Sequence, residues 1–388
     1  MSGATTPASA IDARLTRLRE RMAESNLNGF LVSAPVEDIF HTHAANRRYL
    51  SGFTGSMGWL LISADYAFIA VDFRYVEQAE RECPQFTVFR IYGGIEKWFA
   101  DLAREANLNG KRPDGRATAR IGFEPADITV AAFQAIKKAV EAMPEPDRPK
   151  LLTAPPIVTE MRAIKEPAEV EALQRAVDVG DAAFSAVAVR IEPGWTERHV
   201  ALEIESEARR LGAEGLSFPT IVAAGPHGAM PHAQPRDHAI ADGDAVVIDM
   251  GVIVDGYCSD LTRTIAVGKP DAKFHEIYDI VLTAQRTAEE LVRTGMLGEE
   301  AHMLAHNVIA EAGHGENFGH GLGHGVGLLI HETPRLARLS KDELTNGMVV
   351  TIEPGIYISG WGGVRIEDMV VLENGKARIM TRAPKLMA

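Results

Sequence analysis

The sequence predicts two domains, an α/β domain in the front half of the chain and an α+β domain with a mainly antiparallel sheet in the back half. The chain has 388 residues, more than one compact core usually holds, because domains commonly contain about 100–200 residues. In the front half, helical patterns alternate with short apolar strand patterns. In the back half, long helical patterns precede Val- and Ile-rich strands, with no regular strand–helix–strand repeat.

The front half begins with ten small and polar residues, which predict a flexible tail over 1–10. An amphipathic helix follows over 11–25, with Leu15, Leu18 and Met22 on one face. Strand patterns cover 29–33, 58–63, 66–71, 86–91 and 120–123, and helical patterns begin near Tyr75 and cover 96–106 and 130–143. The proline-rich segment 144–156 predicts a linker. We therefore assign 11–155 to the N-terminal domain and 156–388 to the C-terminal domain.

The back half contains four long helical patterns, over 167–189, 197–211, 273–293 and 299–312. Strand patterns cover 220–224, 245–254, 262–267, 349–358 and 364–372. Helices that pack on a mainly antiparallel sheet are the arrangement that this order favours.

The bulk properties argue against several classes of protein. A net charge of −13 does not suit nucleic acid, which binds clustered Lys and Arg. Cys83 and Cys258 are the only cysteines, too few for a disulfide framework, so we expect a reducing, cytoplasmic environment. The sequence has neither an apolar run of about 18 residues nor a secretory signal pattern. We therefore expect no membrane association.

Four acidic residues end or follow apolar strand patterns: Asp249, Asp260, Glu353 and Glu367. A charge in a half-buried strand is costly unless it is paired or bound to a metal ion. One such acid is usually a helix cap or an ion-pair partner. Four acids gathered together would raise each other's pKa, and a cation would relieve that repulsion.

A stretch with glycine at every second position runs from Gly319 to Gly327. In a strand, this spacing leaves one face without side chains and places His320 and His324 on the other face. Four carboxylates together with one or two imidazoles match an oxygen-rich site for two divalent ions such as Mn²⁺ rather than a sulfur-rich zinc site.

Six motifs in order resemble the signature of the pita-bread metallopeptidases, within them the proline-specific branch of Xaa-Pro aminopeptidases and Xaa-Pro dipeptidases (prolidases). They are Asp-Met-Gly at 249–251, Gly-Tyr-Cys-Ser-Asp-Leu-Thr-Arg-Thr at 256–264, His-Gly-Leu-Gly-His-Gly-Val-Gly at 320–327, His-Glu-Thr-Pro at 331–334, Ile-Glu-Pro-Gly-Ile-Tyr at 352–357 and Gly-Val-Arg-Ile-Glu-Asp at 363–368. Residues 48–56 and 72–75 resemble the family's creatinase-like N-terminal domain. The resemblance implies a curved, mainly antiparallel sheet in the catalytic domain.

The resemblance also implies a ligand set for two divalent ions. Asp249 would bind one ion, and His324 and Glu353 would bind the other. Asp260 and Glu367 would bridge the two. The oxygen-rich set favours Mn²⁺, with Co²⁺ and Zn²⁺ as alternatives. Such a pair of ions lowers the pKa of a shared water from about 15.7 towards about 7 and so supplies a hydroxide nucleophile.

The other roles carried over concern the reaction and the substrate. Glu353 would be the general base and His331 would stabilise the oxyanion. His232 would contact the substrate at the scissile bond. Arg365 and Tyr357 would hold the carboxylates and the substrate pocket in place.

The specificity stays open between two activities on proline-containing peptides. The stretch 49–53 favours an Xaa-Pro aminopeptidase, which we place slightly first. Arg335 favours an Xaa-Pro dipeptidase, because an arginine there would pair with the free carboxylate of a dipeptide. Remoter alternatives are a non-peptidase hydrolase or lyase, or a non-catalytic binding protein on the same fold. The resemblance also implies a homodimer or larger homo-oligomer, and Leu329 stands where relatives commonly have an acidic residue.

Overall fold

The computed structural model describes residues 8–33, 45–110 and 118–385. The chain divides into two compact units, Met1–Arg162 and Ala163–Ala388. Each unit has its own core of buried apolar side chains. Two domains were expected; the expected boundary between 155 and 156 stays a prediction.

The first unit alternates short strands with helices. Its elements in chain order are α1 (Ala8–Glu24), β1 (Gly29–Val32), α2 (Ala45–Ser51), β2 (Trp59–Ser63), β3 (Ala67–Val71), α3 (Val76–Glu82), β4 (Thr87–Arg90), α4 (Phe99–Glu105), β5 (Arg120–Phe123), α5 (Val130–Ala142), β6 (Lys150–Thr153) and α6 (Ile157–Ala163). The strands form one six-stranded sheet in the order β4-β3-β2-β1-β5-β6. The sheet is mixed, because β1, β2 and β3 pair antiparallel while β4, β5 and β6 join in parallel.

The first unit differs from the sequence prediction at four places, one of which is the unpredicted helix α6. Residues 8–10 form the start of α1 instead of belonging to the tail, whose residues 1–7 lie outside the described part. The helix α2 was not predicted, because it has only seven residues and buries nearly all of them, which leaves no amphipathic pattern to recognise. The segment 144–156 is not a linker throughout, since β6 pairs with β5 and completes the sheet.

The second unit begins with two long helices. Its elements are α7 (Pro167–Ala188), α8 (Glu197–Arg210), β7 (Gly215–Leu216), β8 (Ile221–Ala224), β9 (Ala245–Met250), β10 (Val252–Val254), β11 (Tyr257–Cys258), β12 (Leu261–Ala266), α9 (Ala272–Leu291), α10 (Gly298–Glu311), β13 (Gly323–Gly325), β14 (Glu332–Leu336), β15 (Val349–Ile352), β16 (Gly355–Ile358), β17 (Gly362–Arg365), β18 (Asp368–Glu373) and β19 (Lys376–Ile379). The four predicted long helices are all present.

The strands of the second unit pair antiparallel throughout the described residues. They form sheets in the orders β11-β10-β7, β12-β9-β8, β14-β13-β15-β18-β19 and β16-β17. Apolar residues of α9 and α10 pack with the five-stranded sheet, and those of α7 and α8 pack with β8, β9 and β12. The predicted α+β class with a mainly antiparallel sheet is confirmed.

Four predicted strands are shorter than expected, among them the run 364–372, which divides after Arg365 into β17 and β18 of different sheets. The run 245–254 divides at Gly251 into β9 and β10, and a Cβ at Gly251 would lie 2.1 Å from the Ser259 carbonyl oxygen. The run 349–358 divides after Ile352 into strands of different sheets. In the glycine-rich stretch, only Gly323–Gly325 pairs as a strand. These breaks place functional side chains at strand ends.

No helix within the described residues is both long and apolar enough to cross a membrane.

Candidate metal centre

The second unit brings together side chains from five separate segments. Each segment is an antiparallel strand or the residue beside one. Asp249 lies in β9, Asp260 between β11 and β12, His324 in β13, Glu353 directly after β15, and Glu367 between β17 and β18. These are the five ligands that the sequence resemblance implies.

Three of the five side chains form a compact cluster. Ligand atoms of Asp260, His324 and Glu367 all lie within 4.8 Å of one another. The Nε2 atom of His324 lies 3.5 Å from an oxygen of Asp260 and 3.5 Å from an oxygen of Glu353. Asp249 is close enough to raise the pKa of Asp260, Glu353 and Glu367. All five ionisable groups therefore share one site.

The imidazole of His324 is prepared to bind a metal ion through Nε2. Its Nδ1 lies 3.0 Å from the carbonyl oxygen of Gly325, so Nδ1 carries the proton and donates it there. Burial, with a smaller effect from His331, lowers the pKa of His324 to about 3. The ring is neutral at physiological pH, and its Nε2 lone pair faces the carboxylates.

Burial and mutual repulsion raise the pKa of carboxylates in the site. Burial raises the pKa of Glu353 to about 8, and Asp249 adds to the rise. Burial also raises the pKa of Asp260 and of Glu367 well above their usual values, and neighbouring carboxylates add to both. Packed in this way, the acids would hold protons unless positive charge enters the site.

The residues present fit a divalent-metal site. The Oδ1 atom of Asp249 is buried and makes no hydrogen bond within the described residues, which is the state of a ligand oxygen. The other donors are carboxylate oxygens and one imidazole nitrogen, the set that hard and borderline divalent ions prefer. A cation would also remove the repulsion that raises the pKa of these acids.

Arg365 and Thr262 hold two of the ligand carboxylates in place through hydrogen bonds. The guanidinium of Arg365 donates to Asp249 over 2.6 Å and to the Thr262 hydroxyl over 3.2 Å. That hydroxyl donates in turn to Glu367 over 2.6 Å. Arg365 also donates to the Tyr357 hydroxyl over 2.8 Å. Arg365 therefore contacts both Asp249 and Tyr357, and its supporting role stays a prediction.

Tyr357 connects Arg365 to His320. Nε2 of His320 lies 2.9 Å from the Tyr357 hydroxyl, and Nδ1 lies 2.8 Å from the carbonyl oxygen of Gly321. Burial, with Arg365 next, lowers the pKa of His320 to about 4, so the ring is neutral. Because Nδ1 donates to a carbonyl, Nε2 accepts from Tyr357. His320 therefore supports this network through Tyr357.

Three predicted substrate residues are exposed at this site. The ring of His331 lies edge-on to that of His324, with centroids 4.4 Å apart. His232 is close enough to lower the pKa of His320. Arg335 is the cross-strand partner of His324 in the β13–β14 pair, so both side chains lie on the same face of the sheet.

Two threonines of the site were not predicted. Thr262 is described above, and Thr351 accepts from the backbone N–H of His324 over 3.1 Å and donates to Glu353 over 3.4 Å. Both residues are fully buried in strands. A hydroxyl within a buried strand was the available signal, because a buried hydroxyl needs a partner.

Comparison with known proteins agrees with this geometry. Residues 171–374 match the sequence profile of metallopeptidase family M24, and residues 14–164 match that of the creatinase/prolidase N-terminal domain. A Bacillus subtilis protein described as an uncharacterized peptidase, YqhT, is 37% identical over 375 residues, which are 96% of this chain and 98% of that protein.

Solved structures are similar over nearly the full length. An Xaa-Pro dipeptidase from Bacillus anthracis is 37% identical with a TM-score of 0.86, covering 97% of this chain and all (100%) of that one. An X-Pro aminopeptidase from Thermotoga maritima is 32% identical with a TM-score of 0.84, covering 96% of this chain and 99% of that one. With the family profile matching more than half of the chain and a full-length relative 37% identical, this protein belongs to metallopeptidase family M24.

Proposed function

We propose that the protein is an exopeptidase that hydrolyses the bond between an N-terminal residue and proline. The observation that carries this proposal is the cluster of Asp260, His324 and Glu367 with Asp249 and Glu353 around it. Relatives named as an Xaa-Pro dipeptidase and an X-Pro aminopeptidase support the proline specificity.

The ligand residues would hold two divalent ions in the arrangement implied by the sequence, with Asp260 and Glu367 shared between them. When bound, such ions polarise the scissile carbonyl and lower the pKa of a water to about 7. We propose Mn²⁺ because four of the five ligands are carboxylates, which suit hard oxygen-binding ions.

The remaining steps fall to the protein's own groups. Glu353, whose pKa burial raises to about 8 without metal, would take the proton from the attacking water. His331 is exposed beside His324 and would donate to the oxyanion that develops on the carbonyl oxygen. His232 would contact the substrate at the scissile bond. Tyr357 and Arg365 would keep Asp249 and the substrate pocket in position.

The length of the substrate depends on Arg335. Its exposed side chain shares a sheet face with His324, and its charge lowers the pKa of Glu353. A guanidinium in this position suits the free carboxylate of an Xaa-Pro dipeptide. This geometry supports the dipeptidase. The stretch 49–53 and the similar Thermotoga maritima structure give equal support to the aminopeptidase, which the sequence places slightly first.

The test compares two peptides on one preparation. The protein is stripped with a chelator, loaded with Mn²⁺ and given an Xaa-Pro dipeptide beside an Xaa-Pro-Xaa tripeptide. Cleavage of the dipeptide alone supports a dipeptidase, and rapid cleavage of the tripeptide supports an aminopeptidase. An Xaa-Ala dipeptide controls for proline specificity, and Asp260→Asn controls for contaminating peptidases. No cleavage of either proline peptide, at any Mn²⁺ concentration, would refute the proposal.

We further propose that the protein acts as a homodimer in the cytoplasm. Both cysteines are buried and form no disulfide within the described residues, which suits a reducing compartment. The full-length similarity to other family members supports a shared assembly. Light scattering of the purified protein measures the oligomeric state directly, and a monomer would contradict the proposed homodimer.

A further inference from the structure

Glu197 is a buried carboxylate that lies outside the metal centre. It occupies the first turn of α8, directly after the N-cap residue Thr196, and is 0% exposed. A carboxylate buried to this extent is costly unless several donors surround it. Its partners therefore indicate what it holds in place.

The donors to Glu197 come from one stretch of chain. The backbone N–H of Ala224 donates over 3.0 Å and that of Arg236 over 2.9 Å. Nδ1 of His227 lies 2.8 and 2.9 Å from the two carboxylate oxygens, and the Arg236 guanidinium donates over 3.3 and 3.4 Å. Burial by itself would raise the pKa of Glu197, but these N–H groups keep it below its usual value.

These donors enclose residues 225–235, which we call the His232 loop. Ala224 directly precedes the loop, Arg236 directly follows it, and His227 lies inside it. One carboxylate thus joins both ends of the loop. The loop carries His232, which is exposed and close enough to lower the pKa of His320.

The far side of the His232 loop packs against the metal centre. The Pro231 carbonyl oxygen accepts from Arg365 over 3.4 Å. A Cβ at Gly363 would lie 2.1 Å from the Gly228 carbonyl oxygen, so the loop backbone lies directly on β17. The loop is therefore held between Glu197 on one side and β17 on the other.

We propose that Glu197 is a positioning residue that holds the His232 loop closed so that His232 reaches the substrate. The proposal deepens the proposed function and rests on it for the role of His232. Glutamine at this position would keep one acceptor oxygen, but its NH₂ group would face N–H donors that it cannot satisfy. The loop should then open more often, while the metal ligands keep their own supports.

The first test is hydrogen exchange of the Mn²⁺-loaded protein. In Glu197→Gln, peptides within 224–236 should exchange about tenfold faster or more, since local opening needs fewer broken bonds. Peptides that contain Asp249, His324 or Glu353 should keep their rates. The matched control is Glu205→Gln, which removes a charge from the same helix, where Glu205 forms an exposed pair with Arg209. This control should leave the loop unchanged.

The second test is a double-mutant cycle in catalysis. Glu197→Gln should lower kcat/KM for the better proline peptide about ten- to hundredfold, with Mn²⁺ binding unchanged. If Glu197 acts through His232, adding Glu197→Gln to His232→Ala should cost no more than about twofold further. Arg236→Met keeps the carboxylate and its backbone donors, and should give a smaller loss of about threefold.

The outcomes separate this inference from the proposed function. Unchanged exchange in the loop of Glu197→Gln overturns the inference, whatever reaction the protein catalyses. Full additivity with His232→Ala, or a loss of Mn²⁺ binding, also overturns it, because Glu197 would then act through another part of the site. If Glu197→Gln does not fold, Arg236→Met carries both tests. If the wild type cleaves neither peptide, the proposed function fails and the exchange result alone decides whether Glu197 holds the loop.

Discussion

Arg365 serves several neighbours through different nitrogens of one guanidinium. It donates to Asp249, Thr262 and Tyr357, and its side chain is only 4% exposed. Its charge also lowers the pKa of Glu353, against the larger effect of burial. A planar group with several fixed donors can make these contacts together, whereas a lysine ammonium could not keep the same geometry.

Thr262 supports the site through its hydroxyl. We expect Thr262→Val to weaken Mn²⁺ binding about tenfold or more, because Glu367 loses a donor and Arg365 loses an acceptor. Titration calorimetry on the chelator-stripped protein measures this affinity. The control is Thr283→Val on the exposed side of α9. Equal affinity in the two variants would contradict this supporting role.

Arg335 decides substrate length if it binds a free carboxylate. We expect Arg335→Gln to raise KM for an Xaa-Pro dipeptide about tenfold or more, while a tripeptide is affected little. Arg338→Gln is the control, since Arg338 is also exposed and three residues away. Steady-state kinetics with both peptides measure the difference. An equal change with dipeptide and tripeptide would argue against a carboxylate clamp.

At the scale of elements, close packing of strands orients the ligands. β13 lies between β14 and β15 and places His324 against Glu353 at the end of β15. A Cβ at Gly323 would lie 2.0 Å from the Thr351 carbonyl oxygen. Only glycine lets β13 and β15 approach this closely, so the glycine-rich motif allows the two strands to pack together.

Gly323→Ala tests this close approach. We expect it to lower the free energy of unfolding by about 1–3 kcal/mol and to weaken Mn²⁺ binding, because β13 must move and His324 moves with it. Gly319→Ala is the control, since a Cβ there would have no neighbour within 4 Å. Urea unfolding and calorimetry measure the two effects. A stable Gly323→Ala protein with normal metal binding would show that the strands can separate at little cost.

At the scale of the whole molecule, folding gathers negative charge that a cation must balance. Without metal, burial raises the pKa of Glu353 to about 8 and also raises that of Asp260 and Glu367. The folded protein then binds protons that the unfolded chain has already released. Stability of the metal-free protein therefore falls as pH rises from about 4.5 to about 8.

This linkage predicts how chelation acts at different pH. We expect chelation to lower the Tm only slightly near pH 5.5 and markedly near pH 8, since protons replace the ions only at low pH. Differential scanning calorimetry with and without chelator measures the difference. Metal-free Glu353→Gln should show a shallower pH dependence, because one of the proton-binding groups is gone. An equal drop in Tm on chelation at both pH values would contradict this linkage between proton binding and stability.

The sequence alone determined the fold class, the long helices and the four acids at strand ends. These features depend on patterns within a few residues: helical and strand periodicity, and acids that end apolar runs. The resemblance of six ordered motifs added the five-residue ligand set and the activity class, and the family match then supported the activity class. Short elements such as α2 and β6 escaped prediction, because so few residues show no clear periodicity.

The tertiary structure decided which distant residues meet. Arg335 is the cross-strand partner of His324, Thr262 donates to Glu367, and Glu197 closes the His232 loop. Contacts of this kind depend on sheet register and on packing between distant segments; Thr262 and Glu367, for example, are 105 residues apart. The pKa of each acid depends in turn on those neighbours and on burial. Such quantities arise only when the chain has folded, because no local pattern contains the distances that set them.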